Sequence, residues 1–460
     1  MTSPQLGTVL VRSTGTIALR LVCGTGIGFA GAFIIARIIG AEAYGSYIAA
    51  LALTLTISAI AQWGVGMALV RAEHEPTRAR LDTAWCLLLV IGILASVIGI
   101  AVGFLIFPGE KFADIRQALL LMLPVTACTL PATVPLAVLE RQMRFAPIAG
   151  MELAGSVLWL GTSLGLGLLG WDSLALPLGW VVQQCAQAVA WHRLTGFRPR
   201  ANFVIADARA LLGFGTAYST AVVSWQVRPL VAPMAVGTVL GMAAVGQVGM
   251  ASRIMEALSM MRHALWRASA PLLGRLRSND QATAAVVCAA GAVSCVATAM
   301  LSVAFVLCQP LVRMLIGPDW DGALALFPYF AVHGMIAALL GLLALVLHVH
   351  GRSLLVTAFN VLHIVLLAGA AMVLVPEHGL LGWGVAELVA CASFPALLIA
   401  CPRGVRRHIH GLPALALPII PIAWFLFSPT LASGSASVVG IAVLGLVAVR
   451  WGLRAKVHLG

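Results

Sequence analysis

The chain predicts an all-α polytopic membrane protein. About fourteen transmembrane helices are expected, as two six-helix lobes with two further helices at the C-terminus. Three observations carry this expectation. Of 460 residues, 61% are hydrophobic and only 10% are charged, where an ordinary soluble domain is about a quarter charged. The apolar residues gather into stretches near the roughly 20 residues needed to cross hydrocarbon. The basic residues favour alternate connections between those stretches.

The stretches fall at about 14–36, 44–69, 83–106, 117–139, 148–170, 174–192, 211–236, 243–270, 284–308, 323–348, 354–375, 380–401, 413–428 and 437–450. The first is too long for a signal peptide and no small-residue cleavage site follows it. With the N-terminus inside, nineteen Lys and Arg lie on the even-numbered connections and the two tails. The opposite face holds four: Arg37, Lys111, Arg116 and Arg313. The positive-inside rule then places both termini in the cytoplasm and requires an even number of spans. This distribution also directs the net charge of +12 to membrane topology and away from nucleic acid. Nine dispersed cysteines, with no Cys-x-x-Cys pair, read as small packing residues. Neither a metal site nor a cofactor is expected.

The connection near 193–210 carries Pro199 and four arginines. It divides the chain into an N-terminal lobe (1–192), a basic cytoplasmic linker (193–210), a C-terminal lobe (211–401) and a segment of two more helices and a cytoplasmic tail (402–460). Two sequence echoes support the division. Gly40-Ala41-Glu42-Ala43-Tyr44-Gly45 follows the first span, and Gly241-Met242-Ala243-Ala244-Val245-Gly246 follows the seventh. Pro108 follows the third span and Pro318 the ninth. Six spans per lobe keep the orientation, so the lobes are expected to be parallel repeats about an axis along the membrane normal, with a site between them.

Charges inside spans are rare and mark function by default. The first span holds Arg20 above Gly24, Gly28 and Gly31, which suit close helix approach. The seventh holds Ser224-Trp225-Gln226-Val227-Arg228-Pro229 and then Pro233; proline removes a backbone bond, so a kink is expected beside Arg228. In the eighth, Arg253, Glu256, Met260, His263 and Arg267 stand at offsets that share one helical face. One reading is a cationic ladder lining a cavity; the other is an internal ion pair between Arg253 and Glu256. Arg262 lies half a turn away. Glu152 and Glu387 are candidates for binding a coupling ion. Gln183, Gln184, Gln187, Asn360 and His363 suit interhelical hydrogen bonds or sugar hydroxyls, and His333 and His348 are ionisable near neutral pH. An excess of buried arginine suits an anionic substrate, and its planar fork matches phosphate bidentately.

The stretch Ala36-Arg37-Ile38-Ile39-Gly40-Ala41-Glu42-Ala43-Tyr44-Gly45-Ser46-Tyr47 resembles the N-terminal signature of polysaccharide-type flippases. Gln62-Trp63-Gly64-Val65-Gly66 and Leu69-Val70-Arg71 continue that pattern. Leu139-Glu140-Arg141-Gln142-Met143-Arg144-Phe145 is similar to a segment of the colanic-acid-exporter branch. The resemblance is to Wzx-type members of the multidrug/oligosaccharidyl-lipid/polysaccharide exporter superfamily. It implies a fourteen-helix, two-lobed fold in a bacterial inner membrane, in contact with membrane lipids and the glycan polymerase machinery. The implied cargo is undecaprenyl-diphosphate-linked oligosaccharide, moved by alternating access for surface or exopolysaccharide assembly, with no bond made or broken. Lipid II flippases of the same superfamily carry arginines on their first and eighth spans, which supports Arg20 and Arg253 by resemblance. Two other functions compete. A multidrug/cation antiporter would favour an acidic and aromatic lining. A polymerase or ligase would need catalytic groups on a substantial outside loop, and the outside connections here are short. The sequence has no phosphate-binding Gly-x-x-x-x-Gly-Lys loop, so no domain of this kind supplies ATP energy.

Overall fold

In the computed structural model the described residues are 3–72, 74–276, 278–409, 416–429 and 431–457. Side chains are described for these except 3–30, 214–218, 261, 264, 267, 268, 270, 271, 431–433, 452 and 454–457. The described residues are predominantly helical, with no strand among them. Eight helical stretches among them are long and apolar enough to cross a membrane. Some hold two predicted spans: Ser3–Gln62 continues through a kink at Gly40, and Ser353–Ala390 through one at Gly379. Other predicted spans are interrupted. The seventh is split into Ile205–Gln226 and Val231–Leu240 by a 3-10 turn at Arg228–Leu230. The eighth is split at Ser259 into Met242–Leu258 and Met260–Arg275. The thirteenth is the nine-residue helix Ile419–Phe427.

Chain contacts divide the protein into two compact units, Met1–Leu230 and Val231–Gly460. This division differs from the boundary expected at 193–210. Ile205–Gln226 packs on Ser3–Gln62, Val65–Val70 and Arg78–Ile106, all within the first unit. The division coincides instead with the break in the seventh span, beside Pro229. The stretch around 193–210 is itself pinned. Arg200 N donates to Asp82 Oδ1 at 3.2 Å and Val204 N to Thr83 Oγ1 at 3.0 Å. Asp82, only 1% exposed, also pairs with Arg78 at 3.4 Å. The Arg78 guanidinium lies 4.4 Å above the Phe197 ring, and Trp85 Nε1 donates to His192 Nε2 at 3.0 Å.

The core of the first unit includes a close crossing of Arg78–Ile106 and Thr126–Arg141. At Gly92 an added Cβ would stand 2.9 Å from both Ala127 Cα and Thr126 O. Two buried hydroxyls are closed into the same crossing. Ser96 Oγ lies 2.9 Å from Thr126 Oγ1 and 2.8 Å from Gly92 O, and Thr126 Oγ1 lies 2.7 Å from Leu123 O.

The backbone repeats its conformation at the positions where the sequence echoes itself. Gly40 has φ 81°, ψ 170° and Gly241 has φ 90°, ψ 174°. Gly109, after Pro108, has φ 81°, ψ 171°, and Gly317, before Pro318, has φ 92°, ψ 167°. This region is open essentially only to glycine, which is why glycine stands at all four. A 3-10 turn follows each of the latter pair, at Glu110–Phe112 and Pro318–Trp320. A further correspondence appears 208 residues apart, the same spacing as Gly109 to Gly317. Arg144 N donates to Leu139 O at 3.0 Å and Arg352 N to Leu347 O at 2.8 Å, the six-to-one bond that closes a helix in the Schellman manner. The left-handed residue is Gly351 (φ 73°) in one cap and Met143 (φ 55°) in the other.

Met143 is 72% exposed, so its side chain adds little packing, while a left-handed non-glycine residue is strained by roughly 1–2 kcal/mol. Met143→Gly is expected to stabilise the detergent-solubilised protein by about 1 kcal/mol, after allowance for glycine's larger unfolded entropy. The thermal midpoint checks this, and an unchanged or lowered midpoint would count against a strained cap.

Candidate functional site

Arg253 stands on Met242–Leu258, a helix that buries Met242, Val245, Val248, Met250, Ile254 and Met255. It packs against Val231–Leu240 and Asp321–Leu340. Close approach to the latter is allowed by Gly334, where a Cβ would meet the Met255 methyl group. Burial of this apolar face holds Arg253 half-buried. Among the described residues its guanidinium makes no hydrogen bond or ion pair. The alternative of an Arg253–Glu256 pair is therefore not formed, and Glu256 is exposed.

The helix that carries Arg253 is interrupted at Ser259, where φ is −87° and ψ 3°, while Ser259 N still donates to Met255 O at 3.0 Å and His263 N to Ser259 O at 3.3 Å. His263 is exposed; the side chain of Arg267 lies outside those described, as does that of Arg20.

Arg228 opens the 3-10 turn that breaks the seventh span. It is half-buried, with its guanidinium 5.6 Å from the Trp225 ring. The break strands helical carbonyls, and one of them, Gln226 O, accepts from Thr56 Oγ1 at 2.7 Å. Of the two acidic candidates, Glu152 is exposed on Phe145–Leu168. Glu387 is 1% exposed on Ser353–Ala390, and its Oε2 lies 2.7 Å from His333 Nδ1. The sequence offered both partners, but nothing in it indicated that residues 54 apart meet.

Two adjoining cavities of the first unit were not foreseen. One is an apolar groove of about 910 Å³, lined by Ile57, Ile60, Leu87, Ile91 and Leu212, with Arg209 as the charged residue of its wall. The other is a polar pocket of about 560 Å³, lined by Arg71, His74, Glu75, Thr77, Arg80 and Asp207. They meet at the first turn of Ile205–Gln226, where Asp207 faces the pocket and Ala208 and Arg209 the groove. Arg80 Nε is buried there without a hydrogen-bond partner. In the sequence these arginines read only as topology signals, because loop charges and pocket charges look alike until the chain folds.

The profile of the family described as polysaccharide biosynthesis protein matches residues 34–325. The chain belongs to this family. The match includes the Ala36–Tyr47 signature, Arg228 and Arg253. A comparison with curated proteins finds no match. Among solved structures, this member of the polysaccharide biosynthesis family is similar to the lipid II flippase MurJ in an inward closed conformation. The TM-score is 0.69 at 11% identity, covering 95% of this chain and 99% of that one. It is also similar to an inward-facing multidrug resistance MATE family transporter of the MOP superfamily, with a TM-score of 0.65 at 15% identity, covering 86% and 98% of the two chains. At these identities the likeness shows the fold: a multi-pass helical membrane protein of the architecture used by that superfamily.

Proposed function

We propose that this protein flips undecaprenyl-diphosphate-linked oligosaccharide units across the bacterial cytoplasmic membrane by alternating access, for assembly of a surface or exported polysaccharide. The observation that carries the proposal is Arg253, half-buried on an apolar helix and without an anionic partner among the described residues. Hydrocarbon cannot solvate a diphosphate, and a charged side chain near the bilayer centre is itself unfavourable by about 3 kcal/mol on insertion scales. Each charge answers the other. Arg20, Arg228, Glu256, His263 and Arg267 are the further substrate-binding candidates of this reading, and Glu152 and Glu387 its candidates for a coupling ion.

The adjoining groove and pocket support a substrate with an apolar tail and an anionic head. The lipid tail stays in the bilayer while the head crosses, so no bond is made or broken. The second reading, a multidrug antiporter, has the fold relatives in its favour. It lacks an acidic partner at Arg253, which a cation site would need.

Deletion of the gene is expected to remove the surface glycan and to leave diphosphate-linked oligosaccharide on the cytoplasmic leaflet, accessible to reagents from that side. Glycan unchanged, with raised sensitivity to cationic drugs, would replace this reading with the antiporter.

A further inference from the structure

A second polar site lies wholly within the second unit. His333 on Asp321–Leu340 and Glu387 on Ser353–Ala390 are joined at 2.7 Å, Nδ1 to Oε2. His333 is 9% exposed and Glu387 1%. His363, fully buried, places its ring 5.4 Å from that of His333. Its Nδ1 is 3.0 Å from Ser393 Oγ. The Ser393 hydroxyl donates to Ala390 O at 2.8 Å, so its oxygen accepts from His363 Nδ1–H. That bond places the neutral ring's proton on Nδ1. The Phe394 ring packs edge-on against both imidazoles, at 6.2 Å and 6.0 Å. Phe359 closes the side next to His363 at 6.0 Å.

One turn before Glu387, on the same face of its helix, Trp383 is buried and its indole N–H meets no acceptor. A buried donor of this kind is normally served by water or a ligand. Among the described residues no group of His, Cys, Asp and Glu is placed to hold a metal ion. The other titratable or charged groups on the packed elements are Arg253 and Glu256 on Met242–Leu258, Asp280, Cys288 and Cys295 on Asp280–Leu307, and His348 on Leu342–Val349. Asp321, Tyr329, Glu377 and His378 share the helices of the pair, and the Cys391 thiol donates to Glu387 O at 3.5 Å.

We propose that His333, Glu387 and His363 form a buried proton-binding site whose occupancy biases the packing of Asp321–Leu340 against Ser353–Ala390. With both imidazoles neutral and the carboxyl ionised, the cluster carries one negative charge. One proton from water, taken on an imidazole Nε2 or shared along the Nδ1–Oε2 bond, brings the cluster to zero. A change of one unit in buried charge alters what the surrounding groups must balance, so the helices meet different electrostatic demands in the two states. Two imidazoles at 5.4 Å oppose simultaneous charging, which holds the exchange to one proton. As the drive for transport, the site rests on the flippase reading; proton binding does not.

The full chain in lipid nanodiscs tests the site by infrared difference titration between about pH 5 and pH 9, the range in which imidazoles commonly exchange protons. The wild type is expected to show a titrating carboxyl band that Glu387→Gln loses, with one proton fewer taken up per chain as read by a pH dye. His363→Gln, which leaves the 2.7 Å pair in place, is expected to move that band along the pH axis. Superimposable wild-type and Glu387→Gln titrations would overturn the site, as would a His363→Gln titration identical to the wild type. If Glu387→Gln fails to fold, the His363→Gln comparison still decides. A titrating cluster in a protein whose deletion leaves the surface glycan intact would sink the flippase reading alone.

Discussion

Arg253→Gln is expected to reduce glycan export roughly tenfold to a hundredfold while the protein still inserts. A hydrogen bond to a charged group contributes about 1.5–3 kcal/mol, and about 1.4 kcal/mol is a factor of ten in affinity. Lysine at the same position should recover part of the export, because it returns the charge without the bidentate fork. The competing explanation is that loss of Arg253 strands Glu256. The structure speaks against it, since the two are not paired and Glu256 is exposed. The double change Arg253→Gln with Glu256→Gln should therefore be as defective as the single one, with lipid-linked precursor held on the cytoplasmic leaflet. Recovery of export in the double variant would sink phosphate binding at Arg253 and make the residue a structural counter-charge.

The layout of the fold was legible because apolar length and loop charge are additive along the chain. The echo at Gly40 and Gly241 was legible for a sharper reason: both adopt a backbone conformation closed to other residues, so the requirement surfaces as residue identity, whereas the matching pair Gly109 and Gly317 was passed over for the neighbouring prolines. The cap at Met143 shows the converse. Its geometry matches that at Gly351, yet methionine tolerates the strain and the sequence shows nothing. Ser259 carries no signal of its interruption either. The unforeseen parts of the sites, the His333–Glu387 bond and the Arg71 and Arg80 pocket, share one cause. They depend on which helices neighbour each other, and local periodicity contains no term for that.

Gly92→Val is expected to prevent accumulation of folded protein. The first added carbon would already stand 2.9 Å from Ala127 Cα and Thr126 O, and backbone cannot turn aside as a side chain can. Overpacking of a tight crossing is unfavourable by about 1–3 kcal/mol. A comparable loss follows from what shares the crossing. Separating the helices parts Ser96 Oγ from Leu123 O, at 2.9 Å, and Thr126 Oγ1 from Gly92 O, at 3.1 Å. Ser96 is 7% exposed and Thr126 fully buried. Each hydroxyl keeps a bond to its own segment, Ser96 Oγ to Gly92 O at 2.8 Å and Thr126 Oγ1 to Leu123 O at 2.7 Å, so each lost interhelical bond adds about 0.5–1.5 kcal/mol and the sum with overpacking is about 4 kcal/mol, a large part of a typical folding free energy. Gly161 on Phe145–Leu168 is the control, because a Cβ there meets nothing within 4 Å. Gly161→Ala should be neutral or stabilising by up to about 1 kcal/mol through helix propensity. Size-exclusion yield and thermal midpoint in detergent read both variants. A Gly92→Val protein that elutes and melts like the wild type would show that the two helices can part without loss, and that the hydroxyl network does not hold them.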